Sequence, residues 1–130
     1  MATIFTKIVN GEIPCYKIAE DAEYLAFLDI NPLEKGHTLV IPKKENDYIF
    51  DLDDETFTGL HLFAKKVARA LDKAITCKRI AVAVLGLEVP HTHIHLIPMH
   101  DLGATNFNKP KLSFTQEEFE EIAERIKSFL

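Results

Sequence analysis

Gly86-Leu87-Glu88-Val89-Pro90-His91-Thr92-His93-Ile94-His95-Leu96-Ile97-Pro98 is the stretch on which the reading of this chain turns. It holds three of the six histidines, at alternate positions. Successive side chains of an extended chain point to opposite faces, so His91, His93 and His95 share one face. Thr92, Ile94 and Leu96 share the other, which suits a sheet packed on a core. As a helix the same residues would scatter around the axis, and Pro98 would stop it. Three imidazoles side by side are a poor packing solution. Each brings two ring nitrogens that need partners when buried, and charged rings repel one another. The pattern predicts a strand that carries chemistry on one face.

Working outward, Arg79-Ile80-Ala81-Val82-Ala83-Val84-Leu85 is apolar and rich in β-branched residues, and reads as a buried strand running into Gly86. Before it, Phe57, Leu60, Ala64, Val67, Ala68, Leu71 and Ile75 recur at helical spacing. Asp51 or Asp53 can cap that helix, and Asp54 and Glu55 suit its positive end. Three shorter strands are expected nearer the start: around Cys15–Ile18, over Tyr24–Ile30 after a Glu20-Asp21 turn, and over His37–Ile41, ended by Pro42. Asn31-Pro32 and Leu33–Gly36 form the loop between the last two. In residues 1–18 the apolar Phe5, Ile8, Val9 and Ile13 predict packing on the domain despite the Asn10-Gly11 turn signal.

Beyond Pro98, residues 103–112 read as an extended surface loop. A final helix follows, with a Thr115/Glu118 capping box and a Phe114/Phe119 staple. Its stripe runs Phe119, Ile122, Ala123, Ile126, Phe129, Leu130, with a Glu121–Arg125 pair on its surface. The expected fold is α+β: about five antiparallel strands with two main helices, one domain over residues 1–130, with residues 99–130 as a C-terminal loop and helix.

Composition narrows the function. A formal charge of −5 gives no broad basic surface, so nucleic acid is not expected as the main partner. No apolar run approaches the ~20 residues of a membrane span, and the start lacks the plan of a signal peptide. Cys15 and Cys77 make neither a disulfide framework nor a Cys-x-x-Cys site. A cytoplasmic chain is the plain reading.

The histidine strand allows two chemistries. Alternate imidazoles can ligate zinc or another transition metal, with Glu88, His100, Asp101 or His37 completing the set. Alternatively, one neutral imidazole can attack phosphorus while its neighbours steady the phosphate oxygens. Spacing alone does not choose between them.

The residues also resemble a known family. His91-Thr92-His93-Ile94-His95-Leu96-Ile97 is similar to the histidine-triad (HIT) signature, His-φ-His-φ-His-φ-φ with φ apolar, Thr92 being the soft position. Residues 3–14, Glu20-Asp21, Leu25–Pro32 and His37–Lys43 resemble, in order, the blocks of its HINT branch. The resemblance implies a nucleotide hydrolase or transferase acting at the α-phosphate of a nucleoside monophosphate conjugate. His93 would be the nucleophile, forming a nucleotidyl-histidine; His95 would bind the phosphate, and His91 and His37 would support the array. Asp29 would grip the ribose, and Ile4, Phe5, Ile8, Ile13, Phe27 and Ile30 would line the base pocket. Gly86, Glu88 and Val89 complete the implied nucleotide-binding set. The implied partners are a small nucleotide and a second copy in a homodimer, with no cofactor.

Two departures stand out. Relatives that bind a structural zinc carry Cys-x-x-Cys near the N-terminus and a histidine after the third strand; those positions here are Thr3, Thr6 and Glu45, so no metal is expected. The usual Gly-Gln-Ser before the triad is Gly86-Leu87-Glu88. A carboxylate there faces an approaching phosphate, which leaves a nucleotide-binding module with little catalysis as the alternative reading.

Overall fold

The computed structural model describes residues 2–130. They run α1 (Ile4–Val9), β1 (Lys17–Glu20), β2 (Tyr24–Leu28), β3 (Thr38–Pro42), a 3₁₀ turn (Ile49–Asp51), α2 (Asp54–Ala74), β4 (Arg79–Ala83), β5 (Ile94–Met99), a second 3₁₀ turn (Leu102–Thr105) and α3 (Gln116–Lys127). The strands form one antiparallel sheet in the order β1-β2-β3-β5-β4. This is the α+β architecture expected, with three helices, α1 being one the sequence did not announce as such.

Side-chain alternation divides the sheet into two faces. Ile18, Ala26, Leu28, Val40, Ile94 and Leu96 point to one, where they pack beneath α2 and α3. Phe27, Leu25, Leu39 and Ile41 point to the other, which Phe5 of α1 covers. Burial on both sides explains why every residue of β2 and β3 is buried. The apolar content of residues 1–18 is thus that of a lid on the second face, since α1 is too short to hold without tertiary packing.

The helices start where their caps allow. The Asp53 carboxylate accepts the Thr56 N–H at 2.7 Å and begins α2, whereas Asp51 lies in the preceding 3₁₀ turn. At α3 the Thr115 hydroxyl and Glu118 carboxylate satisfy each other's backbone N–H groups, and Phe114 meets Phe119 with ring centroids 5.5 Å apart.

Several expectations need correction. β1 begins at Lys17 rather than Cys15, and β2 ends at Leu28, leaving Asp29 and Ile30 in the loop. The ladder of β5 starts only at Ile94, so His91 and His93 lie in the segment that enters it. The strand over Arg79–Leu85 ends at Ala83 and is not buried: it forms the sheet edge, with Val82 62 % exposed. Phe129 and Leu130 fall outside α3 and are exposed, because the helix ends at Lys127. Arg125 donates to the Ala74 carbonyl at 2.6 Å, tying α3 to the end of α2, instead of pairing with Glu121. The loop after β5 contains a 3₁₀ turn that buries Ala104 against Leu33 and Ile97.

Gly59 is the tightest point between α2 and the sheet. A Cβ there would lie 2.1 Å from the Tyr24 hydroxyl and 2.9 Å from its ring carbon Cζ. That ring is buried, and its hydroxyl donates to the Thr56 carbonyl at 3.2 Å. Alanine would favour the helix by about 1 kcal/mol over glycine, but overpacking costs about 1–3 kcal/mol. Gly59→Ala is therefore expected to lower the urea midpoint; a raised midpoint would show that the Tyr24 ring yields freely.

Candidate active site at the end of the sheet

Four histidines are buried together where β3 and β5 meet: His37, His91, His93 and His95. His37 sits directly before β3 because Gly36, at φ +89°, turns the chain in a conformation that favours glycine. A side chain at Gly36 would also strike Ile75, 2.9 Å away. His95 is the one triad residue within a ladder, opposite Leu39 on β3 and Ala83 on β4. The alternation expected for the triad holds through its entry segment, since Thr92, Ile94 and Leu96 are all buried and the last two join the helix-covered core.

Hydrogen bonds decide which nitrogen of each ring carries the proton. The Leu33 N–H donates to His37 Nδ1 at 3.0 Å, so the proton of a neutral His37 is on Nε2. That Nε2 lies 2.9 Å from His95 Nδ1, which then accepts and leaves the His95 proton on its own Nε2. His93 Nδ1 lies 2.8 Å from the His91 carbonyl; a carbonyl only accepts, so Nδ1 donates and Nε2 bears the lone pair. His91 donates from Nε2 to the Pro42 carbonyl at 2.8 Å and accepts at Nδ1 from the Thr3 hydroxyl at 3.0 Å. Two adjacent rings, 4.9 Å apart, thus present opposite functions: a lone pair on His93 and an N–H on His95.

Burial keeps the supporting rings neutral. It pushes His37 down to about 3, helped by the charge of His95, and His95 down to about 4, helped by His93. His91 is lowered as well, chiefly by burial. Asp29 lies with its Oδ2 3.7 Å from His37 Nε2, and its carboxyl is raised by burial.

The base-pocket residues fall into two groups. Phe5 and Phe27 form a buried edge-to-face pair at 5.7 Å, and the Phe5 ring also meets His93 at 5.0 Å. Ile8 and Val89 flank that pair, and Ile13 is half-buried. Ile4 and Ile30 are exposed, at 48 % and 61 %, so their apolar surface is open to a ligand. Gly86 turns at φ +77°, and Glu88 is exposed with its charge acting on Asp29. On the far side of His93 a cleft of about 570 Å³ is lined by Tyr48, Phe50, Phe57, Gly86 and Leu87 among others.

Phe107 was not anticipated. Its ring edge meets His95 at 4.9 Å and His37 at 6.4 Å, closing the site from the loop before α3. A lone aromatic in a polar stretch was the only signal in the sequence.

Of the partners the sequence offered the histidine strand for a metal, only His37 comes within reach of a triad histidine. Among the described residues the group able to converge on an ion is Asp29, His37 and His95, not the triad with Glu88, His100 or Asp101. His100 faces a different cavity with Arg125, and Asp101 caps the Gly103 N–H. The His37–His95 hydrogen bond already occupies one nitrogen of each ring, and the Leu33 N–H occupies the other of His37. At the positions of the zinc-binding relatives, Thr3, Thr6 and Glu45 do converge on His91. Two hydroxyls, one carboxylate and one imidazole are a poor zinc set, and they satisfy one another. Among the described residues neither of these two groups, hydrogen-bonded as it is, suits a resident metal.

Residues 10–102 match the sequence model of the HIT domain. The chain is 37 % identical, over 98 % of each chain, to a protein of Schizosaccharomyces pombe named adenosine 5′-monophosphoramidase. It is similar to the crystal structure of a HIT-like protein from Bartonella henselae, with a TM-score of 0.86 and 34 % identity over 98 % of this chain and 96 % of that one. A zinc-bound histidine-triad protein from Mycobacterium smegmatis aligns with a TM-score of 0.80 and 29 % identity, over 99 % and 93 % of the two chains.

The lowered imidazoles carry a stability signature. Between the ordinary histidine value of about 6.5 and the folded values of about 3 and about 4, the unfolded chain binds protons that folded His37 and His95 refuse. Their stabilisation is complete above about pH 6.5 and is lost as the pH falls through about 4 toward about 3. Asp29 acts with the opposite sign, because its raised carboxyl takes up a proton more readily folded than unfolded. Urea midpoints measured at about pH 7.5, 6 and 5 are expected to fall in that order. A flat profile would contradict neutral, buried rings.

Proposed function

The chain belongs to the HIT family, and from that premise we propose that it is a nucleotidyl hydrolase or transferase of the HINT-like branch, acting at the α-phosphate of a nucleoside monophosphate conjugate. The conjugates in view are phosphoramidates and dinucleoside polyphosphates. The observation that carries this reading is the proton order of two neighbouring rings, with His93 offering a lone pair and His95 an N–H.

In the first step His93 Nε2 attacks phosphorus, the bond from phosphorus to the leaving nitrogen or oxygen breaks, and that atom departs with the electron pair and takes up a proton. The His93 ring, joined through Nε2, keeps its Nδ1 proton on the His91 carbonyl, which steadies the cationic ring. His95 Nε2–H is the donor for a phosphate oxygen on which charge accumulates. In the second step a water oxygen attacks phosphorus, releases a proton, and His93 leaves with its lone pair restored. Asp29 at the edge of the group serves two ribose hydroxyls, with Phe5 and Phe27 as the floor for the base and Ile4 and Ile30 as its exposed walls. Residues 1–130 act as one unit in this reading, with Phe107 of the C-terminal segment set against His95 and His37.

The alternative, binding with little turnover, is favoured by one observation: Glu88 is exposed beside the site and its charge already acts on Asp29. Two measurements separate the readings. Mass spectrometry of the chain mixed with adenosine 5′-phosphoramidate should trap an adenylate on His93. His93→Asn should abolish turnover while retaining affinity for the nucleotide. Turnover unchanged in His93→Asn would remove His93 from the reaction; nucleotide binding by the parent without adduct or product would leave the binding module.

The same reading includes a two-fold dimer. β4 is a sheet edge with one unpaired side, and Val82, Leu85 and Leu87 on and after it are exposed, as is Leu62 on α2. Leu87 is 94 % exposed, a poor state for a leucine facing water. Light scattering at micromolar concentration should give twice the mass of one chain, and Val82→Lys should shift it to one. A parent that scatters as a single chain would refute the dimer.

A further inference from the structure

Glu45 lies 46 residues before His91 in the chain, yet one hydrogen-bonded path joins them. Glu45 Oε1 accepts the Thr3 N–H at 3.0 Å and the Thr6 hydroxyl at 2.6 Å. The Thr3 hydroxyl accepts the Thr6 N–H at 3.1 Å as the cap of α1, which leaves its own proton for His91 Nδ1 at 3.0 Å. His91 then keeps its proton on Nε2, bonded to the Pro42 carbonyl, and its own carbonyl holds the Nδ1–H of His93.

The Thr3 hydroxyl has two acceptors in reach, His91 Nδ1 at 3.0 Å and the Thr6 hydroxyl oxygen at 3.3 Å, and the nearer is the ring. The Thr6 hydroxyl proton goes to the carboxylate, so it does not compete for His91 Nδ1, from which its oxygen is 3.4 Å distant. The Pro42 carbonyl keeps the His91 proton on Nε2, and the Thr3 hydroxyl at Nδ1 holds the other edge of the ring, so the ring and the backbone beside it are fixed from both sides. The path also pins α1, whose Phe5 ring packs on both His91 and His93, at 5.8 and 5.0 Å. These are the positions that carry the zinc ligands in zinc-binding relatives, and the donors here do not suit a metal.

We propose that Glu45, acting through Thr6 and Thr3, is a positioning residue: a metal-free latch that holds α1 and the His91 ring in place and, through the His91 carbonyl, the aim of the His93 lone pair. The latch rests on the reading of His93 as nucleophile, but its geometry can be tested apart from turnover. A remote group that orients a reacting one through hydrogen bonds is commonly worth 10-fold or more in activity, as second-sphere partners of metal ligands are. Glu45 is exposed, so its loss leaves the core intact and the effect is expected in rate rather than in folding.

The experiment compares the parent with Glu45→Ala, Thr6→Val and Glu45→Gln. It records kcat and KM on adenosine 5′-phosphoramidate, melting temperature, and the ring-nitrogen NMR shifts of His91 and His93. Glu45→Ala and Thr6→Val are expected to lower kcat about tenfold with KM within about twofold, and to move the ring-nitrogen signals of His91 and His93 away from the parent's. Glu45→Gln keeps an acceptor oxygen and should recover most of the rate. The parent's kcat should be insensitive to a chelator. Parental kcat and parental ring shifts in Glu45→Ala and Thr6→Val, with only the melting temperature lowered, would overturn the latch, as would a chelator-sensitive parent. If the parent does not turn over the phosphoramidate, the proposed function fails while the ring shifts still decide the latch.

Discussion

The constraint on which this structure depends is the burial of four imidazoles at one end of a sheet. A buried ring has two nitrogens, and each must find a partner or cost the desolvation of a polar atom. Among the described residues no buried side-chain nitrogen or oxygen lacks one. The partners used are mostly backbone: the Leu33 N–H, the Pro42 carbonyl and the His91 carbonyl, with one ring-to-ring bond between His37 and His95. Backbone groups cannot change their donor or acceptor character, so they impose a proton order on the whole set. The chemical asymmetry between His93 and His95 follows from that order.

Much of the fold serves to place those backbone groups. β3 supplies Pro42 at one end and is preceded by His37 at the other, and β5 lies beside it with His95 in register with Leu39. The loop between β2 and β3 turns at Gly36 so that His37 can accept from Leu33, four residues earlier. Helices α2 and α3 cover the opposite face and take up the alternate residues Ile94 and Leu96, which fixes the register: a slip of one residue would bury the histidines under the helices. The second face is closed by a short helix whose only buried residue is Phe5, and Phe5 is also the ring against His93. Packing and chemistry meet in that one side chain.

Electrostatics favours the same arrangement. Low dielectric disfavours a charge on His37, and the neighbouring rings add to that penalty. A neutral His37 can donate to His95 from Nε2 while accepting at Nδ1; a protonated one could not accept from Leu33. Asp29 stays near this group without a short bond to His37; its Oδ1 accepts the Asn31 N–H at 2.9 Å, which leaves Oδ2 for something else. The exposed apolar residues of β4 and the loop after it contrast with this closed interior, and they lie beside the cleft that His93 borders.

The sequence by itself determined the elements with strong local signals. The alternation around His91–Leu96, the stripe of α2 and the capping box of α3 depend only on neighbours within one turn or one strand; the helix and its cap appear where their residues place them, and the alternation holds although the ladder begins only at Ile94. The family resemblance located the triad, His37 and Asp29 in one region. Local signals misjudged edges: Val82 is as apolar as a core strand residue, and only the strand order shows that β4 has a free side. They also missed α1, since six residues carry too little periodicity to separate a helix from a packed loop. What only the tertiary structure decided is where each proton sits. The Leu33 N–H, the Pro42 carbonyl and the Thr3 hydroxyl are ordinary in sequence, and a tautomer is set by the partner that the fold brings within about 3 Å of each ring nitrogen.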